Sequence, residues 1–575
     1  MENPENAINA VVTGVYPNKV YVEISNIENF KIAGEKLSVG AYLQISDSDD
    51  CAIIAIVQSF AIQKTEEDPE RKYVIEGLPI GFIDADGKFS RGGNNIAIPP
   101  IGVAPASRET IQRIYAQVED KKSFDFSSLS QDKDVRVPVD GDRFFNKHIA
   151  VVGSTGCGKS CSLSTVLRKA IEAKEGRYDG LNNSHIIIFD LHGEYAQAFP
   201  TANHLSIENL LLPYWLMNGE ELEELLIESG ENQAYNQASL LRRIITRNKQ
   251  KHSGNQNALF DSPVRFSLKE VLNCLVNLSR ETRNYKKPTY YAIKDAEKEF
   301  TSDEDRFDYY FTEEFVFEEP KSQNFSKGSY NDGSLDKFIS RIRWKLSDER
   351  LSFLLGSDAE KMSFEDTIRG ILGYCSNKKA NVSIVDLSGI PFEVLSITVS
   401  LMSRILFDYG YYYKRTMSCT LPRTPLLLVY EEAHKYVPKA MGAKYTASRL
   451  AIERIAKEGR KYGVTLALVT QRPSEISETI FSQCNNFIAM RLTNPADQNY
   501  VKRLLPDTLC PLTDSLPTLE SGEAILIGDS VLMPSLVRID RSKPEPSSSD
   551  IRYLQEWKQK WYDVEFAKLI KEWVK

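Results

Sequence analysis

The sequence predicts an α/β protein built on a parallel sheet with helices on both faces, and three observations carry that expectation. Continuously apolar runs recur at 149–152, 186–190, 382–387, 426–430, 464–470 and 487–492 with helical stretches between them, as strands buried on both faces do. The first run leads straight into Gly153-Ser154-Thr155-Gly156-Cys157-Gly158-Lys159-Ser160 and a helical stretch, the strand–loop–helix context of a phosphate-binding loop. Residues 1–105 instead show short β-branched segments broken by turn residues, which predicts a small β-barrel or an open capping sheet.

Composition narrows the class. A chain of 575 residues exceeds one compact core. Eight cysteines without Cys-x-x-Cys pairs fit reduced thiols rather than a disulfide framework or a zinc site. No apolar run approaches the ~20 residues a membrane crossing needs, so a cytoplasmic protein without a membrane anchor is expected. The net charge of −8 confines any DNA contact to a local patch.

In chain order, the barrel (1–105) is followed by a linker (106–139) and the first part of the ATPase-type core (140–217). Residues 218–372 read as a mostly helical insertion whose polar, acidic and aromatic middle is partly loop. The core resumes at 373–541. A Pro/Ser-rich linker then leads to an amphipathic helix over 551–575, whose Trp557, Trp561 and Trp573 need a partner surface.

The chemistry is predicted at three strand ends. In the phosphate loop, residues 153–161 (with Cys161 closing the stretch) would hold a nucleoside triphosphate, Lys159 reaching the β- and γ-phosphates and Ser160 ligating Mg²⁺. The run Leu426-Leu427-Leu428-Val429-Tyr430 ends in Glu431-Glu432. There Glu431 would bind Mg²⁺ through water and Glu432 would act as general base, the alternative being an acidic helix start. Gln471, at the end of the 464–470 strand, would sense the γ-phosphate or position water, unless it only satisfies backbone groups. Cys157 inside the loop predicts sensitivity to thiol reagents. The basic stretch Lys435, Lys439, Lys444 and Arg449 follows the acids directly; it would line a DNA channel through phosphate contacts, or form a solvated loop.

Together these elements resemble the HerA family of hexameric ATPases, within the HerA/FtsK group of RecA-like motors. The resemblance rests on residues 147–160, Asp190-Leu191-His192-Gly193-Glu194-Tyr195, Leu212-Pro213-Tyr214-Trp215-Leu216, Glu431-Glu432-Ala433-His434, the 453–463 block with Glu458-Gly459-Arg460-Lys461, and Gln471-Arg472-Pro473. It implies a RecA-like core in a homo-hexamer hydrolysing ATP with Mg²⁺ and moving along double-stranded DNA. It also implies Lys147 near the nucleotide, Asp190, His192 and Glu194 near the metal or the subunit interface without a separate chemistry for each, and a C-terminal helix bracing the next subunit. An arginine must reach the neighbouring site; Arg460 is the first choice, before Arg454 and Arg491. The resemblance further implies an effector docked on the N-terminal barrel, either a nuclease or a sirtuin-type NAD-consuming enzyme. The cysteine and asparagine content, which does not look hyperthermophilic, points to anti-phage defence in a bacterium, with break end-resection or an ATP-regulated assembly scaffold as the other settings.

Overall fold

The computed structural model describes residues 10–574 except 17, 25–37, 47–50, 66–67, 93–101, 228–233, 295, 321–323, 376–377, 418–422, 440–446, 505–509 and 549–550. Strands β1 (Ala10–Tyr16), β2 (Lys19–Ile24), β3 (Tyr42–Ser46), β4 (Ala52–Thr65), β5 (Asp68–Ile83), β6 (Phe89–Arg91) and β7 (Gly102–Pro105) form one antiparallel sheet. Its order is β1-β2-β5-β4-β3-β7, with β6 on β5. Register shifts at Ile54/Ala55 and Val57/Ser59 bend the long β4–β5 pair. Alternate residues Val20, Val22, Ile24, Ile53, Ala55 and Val57 face a core of their own. The edge strands β1 and β7 come together, though no ladder joins them among the described residues.

Residues 106–139, expected as a linker, are woven into the core instead. Ser107 caps the helix Arg108–Tyr115; β8 (Ser123–Phe124) then pairs with β10 (Val139–Asp140). Between them β9 (Ser127–Leu129) adds the outermost strand to the main sheet. Buried Phe124, Phe126, Val135 and Val137 hold this segment down, which is why it does not behave as a free connection.

The core continues with β11 (His148–Val152), β12 (His185–Asp190) and β13 (Asn203–Leu205). The insertion is helical at both ends, but its middle, expected as partly loop, holds an antiparallel sheet of β14 (Thr282–Asn284), β15 (Tyr290–Ile293), β16 (Ala296–Glu299) and β17 (Phe325–Lys327). The hairpin β18 (Tyr374–Cys375) and β19 (Lys378–Lys379) leads back to β20 (Val382–Asp386), β21 (Leu426–Tyr430), β22 (Val464–Thr470), β23 (Cys484–Met490), β24 (Glu523–Gly528) and β25 (Ser535–Ile539). The main sheet runs β13-β20-β12-β21-β22-β11-β23-β24-β25-β9. The first seven strands are parallel, and the last three form an antiparallel margin.

The single terminal helix expected over 551–575 is instead two short ones, Tyr553–Trp557 and Phe566–Trp573. Trp557, Trp561 and Trp573 are 76%, 94% and 82% exposed; with no surface to bury its apolar face, a long helix here lacks the packing that stabilises one. No helix among the described residues is long and apolar enough to cross a membrane.

Candidate active site

The phosphate loop leaves the C-terminal end of β11, between β22 and β23. Gly156 and Gly158 take φ values of 73° and 96°, which a side chain resists. They close the loop against the first turn of the helix Lys159–Glu172, where unpaired N–H groups favour phosphate. Neighbouring strands brace it: Gly153 N donates to Thr470 O (3.2 Å), Ser154 N to Arg491 O (2.7 Å) and Gly522 N to Cys157 O (3.0 Å). Lys159 Nζ donates to Ser154 O at 3.1 Å, lying across the loop where phosphate oxygens would replace the carbonyl.

Strand β22 separates β11 from β21, so Gln471 stands between the loop and the paired acids. Thr155 Oγ1 donates to Gln471 Oε1 at 2.5 Å. All of these groups line one cavity of about 420 Å³, which also takes in Cys161, His192, Glu194 and residues 545, 546 and 548. The cavity lies outside the carboxyl ends of the strands, where open α/β sheets bind ligands.

The two acids are adjacent but differently held. Glu431 is 4% exposed; burial above all, then the carboxylates of Asp190, Glu194 and Glu432, push its pKa up to about 10. One of its oxygens, Oε2, is buried with no hydrogen-bond partner. Glu432 alone among described non-glycine residues has a positive φ, 48°, a strained backbone held at the reacting end of the cavity. Its burial raises the pKa, but the contact to His434, together with Lys159 and His192, outweighs that and holds the carboxyl below its ordinary value. His434 Nδ1 lies 3.2 Å from Glu432 Oε2 and 3.3 Å from Thr470 Oγ1. A carboxyl that keeps its proton beside one that stays ionised is the arrangement that divides acid and base roles.

A divalent ion fits this donor set. Ser160 Oγ donates to Glu194 Oε2 at 2.9 Å, and the orphaned Glu431 oxygen borders the same cavity. Among the described residues no group of three or more His, Cys, Asp or Glu forms a protein-only cage; Mg²⁺ carried on a triphosphate needs only one or two protein ligands.

Several expected site residues are placed otherwise. Asp190 is fully buried, and its carboxylate accepts from the backbone N–H groups of His192 (3.3 Å), Glu194 (3.2 Å) and Tyr195 (2.9 Å). It is spent on shaping that turn, and Glu194 rather than Asp190 stands at Ser160. Lys147 pairs with Asp529 at the N-terminal end of β11, the end away from the loop. Cys157 is fully buried and burial raises its pKa, which overturns the expected thiol sensitivity. Cys161 does line the cavity.

Arg460 is exposed at the N-terminal end of β22, the end away from its own chain's loop. Arg454 stacks over Phe407 at 4.3 Å, and Arg491 stands beside its own phosphate loop through its backbone. Of the basic stretch, Lys435 is exposed, Lys439 pairs with Glu478 (2.7 Å) and Arg449 with Glu453 (2.9 Å). Lys444 lies outside the described residues. Glu194, expected near the metal without a role of its own, stands at Ser160; the role of His434 was missed, although it stands in a quoted motif. The contribution of residues 545–548 left no sequence signal beyond proline content.

A glycine loop on a central parallel strand, an intervening strand with a terminal amide, and two acids on the next strand define a P-loop ATPase. The family "Helicase HerA, central domain" matches residues 124–406, and the chain is similar over most of its length to curated HerA helicases. It is 28% identical over 467 residues to the DNA double-strand break repair helicase HerA of Saccharolobus solfataricus, covering 80% of this chain and 77% of that one. It is 24% identical over 560 residues to a probable helicase of the same description from Methanocaldococcus jannaschii, covering 91% and 95%. Among solved structures, VirB4 of Thermoanaerobacter pseudethanolicus covers 74% of this chain and 98% of its own at 11% identity and a TM-score of 0.46.

Proposed function

We propose that the protein is a ring-forming ATPase, a homo-hexamer, that hydrolyses ATP at shared subunit interfaces to move along double-stranded DNA. The observation that carries this reading is Gln471, held by Thr155 between the phosphate loop and the ionised Glu432. Lys159 leaves Ser154 O for the β- and γ-phosphates, and the unpaired N–H groups at the start of the helix hold the chain of phosphates in line. Glu432 takes the proton of the attacking water, and Gln471 orients that water by its amide. Ser160, with Glu431 or Glu194 behind it, would hold Mg²⁺, which would supply charge neutralisation to the triphosphate. Arg460, turned away from its own site, reaches the site of the next subunit and stabilises charge there as the phosphoryl group transfers.

Lys435, Lys439, Lys444 and Arg449 contact DNA phosphates in the channel, with Lys439 and Arg449 exchanging their present carboxylate partners for phosphate. The N-terminal sheet docks a nuclease or a sirtuin-type effector, and the exposed terminal tryptophans brace the adjoining subunit, all in the cytoplasm. The descriptions of the relatives favour break repair as the setting; anti-phage defence draws its support from composition alone. The deciding experiment is ATPase activity with and without duplex DNA, together with displacement of a protein block from that duplex. Stimulation and displacement by the wild type but not by Lys159→Ala support a motor; an effector fully activated by the Lys159→Ala ring would reject translocation as its essential work.

A further inference from the structure

The cavity has two ends, and only one is used by the chemistry above. Glu431, Glu432 and Gln471 mark the γ-phosphate end. Lys159 and Ser160 follow, and Cys161, the next residue on the helix, lines the cavity beyond them, on the side away from the γ-phosphate, where a nucleotide's sugar would lie. That far end is walled by a segment 384 residues away in sequence from Cys161: Glu545, Pro546 and Ser548 line the same cavity, and Ser548 Oγ lies 3.9 Å from Cys161 Sγ.

This segment is built in place rather than resting there. Ser542 Oγ and Thr165 Oγ1 are 3.1 Å apart, and Arg168 Nη1 donates to Lys543 O (2.5 Å) and its Nη2 to Pro544 O (3.1 Å). Ser547 N donates to Glu194 O at 2.9 Å. Two residues of the phosphate-loop helix and the residue at Ser160 therefore hold both ends of the stretch. Pro546 is buried between these anchors, while Glu545 is exposed and makes no hydrogen bond or ion pair among the described residues. It lies near enough to Cys161 for its charge to act on the thiol.

We infer that residues 545–548 form the ribose-recognition wall of the nucleotide site, with the Glu545 carboxylate accepting hydrogen bonds from the 2′- and 3′-hydroxyls. A carboxylate facing phosphates would repel them; facing a vicinal diol it finds two donors, the pairing by which acidic residues read ribose in dinucleotide folds. The inference rests on the ATP site proposed above and adds sugar selectivity to it. A site built to bind a hydroxyl discriminates strongly against the analogue that lacks it.

The test is equilibrium binding of ATP and 2′-deoxy-ATP to the full-length wild type, Glu545→Ala, Glu545→Gln and Lys159→Ala. The wild type is expected to prefer ATP by about 10-fold or more, as a charge-assisted hydrogen bond gives. Glu545→Ala should bind ATP as weakly as it binds the deoxynucleotide, with deoxynucleotide affinity unchanged, and Glu545→Gln should fall between. A wild type indifferent to the 2′-hydroxyl, or a Glu545→Ala variant that weakens both nucleotides equally, overturns the inference and leaves the ATP site standing. Lys159→Ala binding as tightly as the wild type would instead overturn the ATP site itself.

Discussion

In the insertion, Glu281 is fully buried with Arg306 Nη1 at 3.4 Å on one oxygen and the Tyr310 hydroxyl at 3.1 Å on the other. At the phosphate loop, Glu431 is nearly as buried, yet its Oε2 meets no donor and its close neighbours are further carboxylates. Both acids have raised pKa values, for Glu281 to about 7, with burial the leading cause. The difference is in what answers the burial. In the insertion the cationic partner comes from the same fold, so the cluster ties β15 to the helix Asp303–Tyr310, Arg306 also bonding the Tyr291 hydroxyl. In the crevice the missing positive charge must arrive with a ligand, and the strained Glu432 beside it is held ready at a cost to the empty fold. Like burial thus marks a structural ion cluster in one place and a binding site in the other.

The largest expected effect separates the two directly. Glu432→Gln should lower ATP turnover by about 10³-fold, the scale of a lost general base, while leaving the melting temperature within a degree or so. A fall in stability matching the fall in activity would make Glu432 a structural acid like Glu281. The converse substitution, Glu281→Ala, should cost about 2 kcal/mol in urea unfolding, because it leaves the buried Tyr310 hydroxyl without its acceptor and Arg306 with Asp303 as its remaining carboxylate. Turnover per folded molecule should not change; a large loss of turnover at unchanged stability would tie the insertion to the site.

The contrast also explains what was legible in the sequence. Six of the seven parallel strands and the phosphate loop were readable because continuous apolar runs and glycine spacing are local patterns; β13, three residues long, was not. So were Glu431, Glu432 and Gln471, each marked by the end of such a run. The insertion's sheet was not, since β14 to β17 are three or four residues long and lack a sustained alternation. Residues 106–139 and 542–548 read as linkers because their order comes from distant partners, β25 and Arg168. Lys147 was misplaced for a related reason: a residue's distance from a motif along the chain does not say which end of the strand it occupies. Asp190 does stand against Glu431, but the sequence could not say that backbone N–H groups already claim its oxygens.

His434 sharpens the crevice side of the comparison. Its ring bridges Glu432 and Thr470, coupling the general base to the strand that carries Gln471. His434→Ala should reduce kcat by about 30-fold with KM little changed, since only a group aimed in the transition state is lost. His434→Asn, whose amide can stand where Nδ1 does, should restore part of it. A loss of stability without a change in kcat would make His434 a packing residue.

The smallest effect is in the pH dependence of stability. Native Glu281 keeps its proton up to about pH 7, whereas the unfolded chain loses it near 4.5. Its contribution is therefore complete below pH 4.5 and is lost as pH rises to about 7, at no more than about 1.4 kcal/mol per pH unit. Urea midpoints of Glu281→Gln measured from pH 5 to 9 should show a shallower fall than the wild type up to pH 7 and run parallel to it above. The slope that remains above pH 7 has the sign expected of Glu431, whose proton is held to about pH 10, and Glu431→Gln should flatten it there. If Glu281→Gln left the slope below pH 7 unchanged, Arg306 would be holding Glu281 ionised in the native state, and the insertion's carboxylate would be answered more fully than the crevice's by a still wider margin.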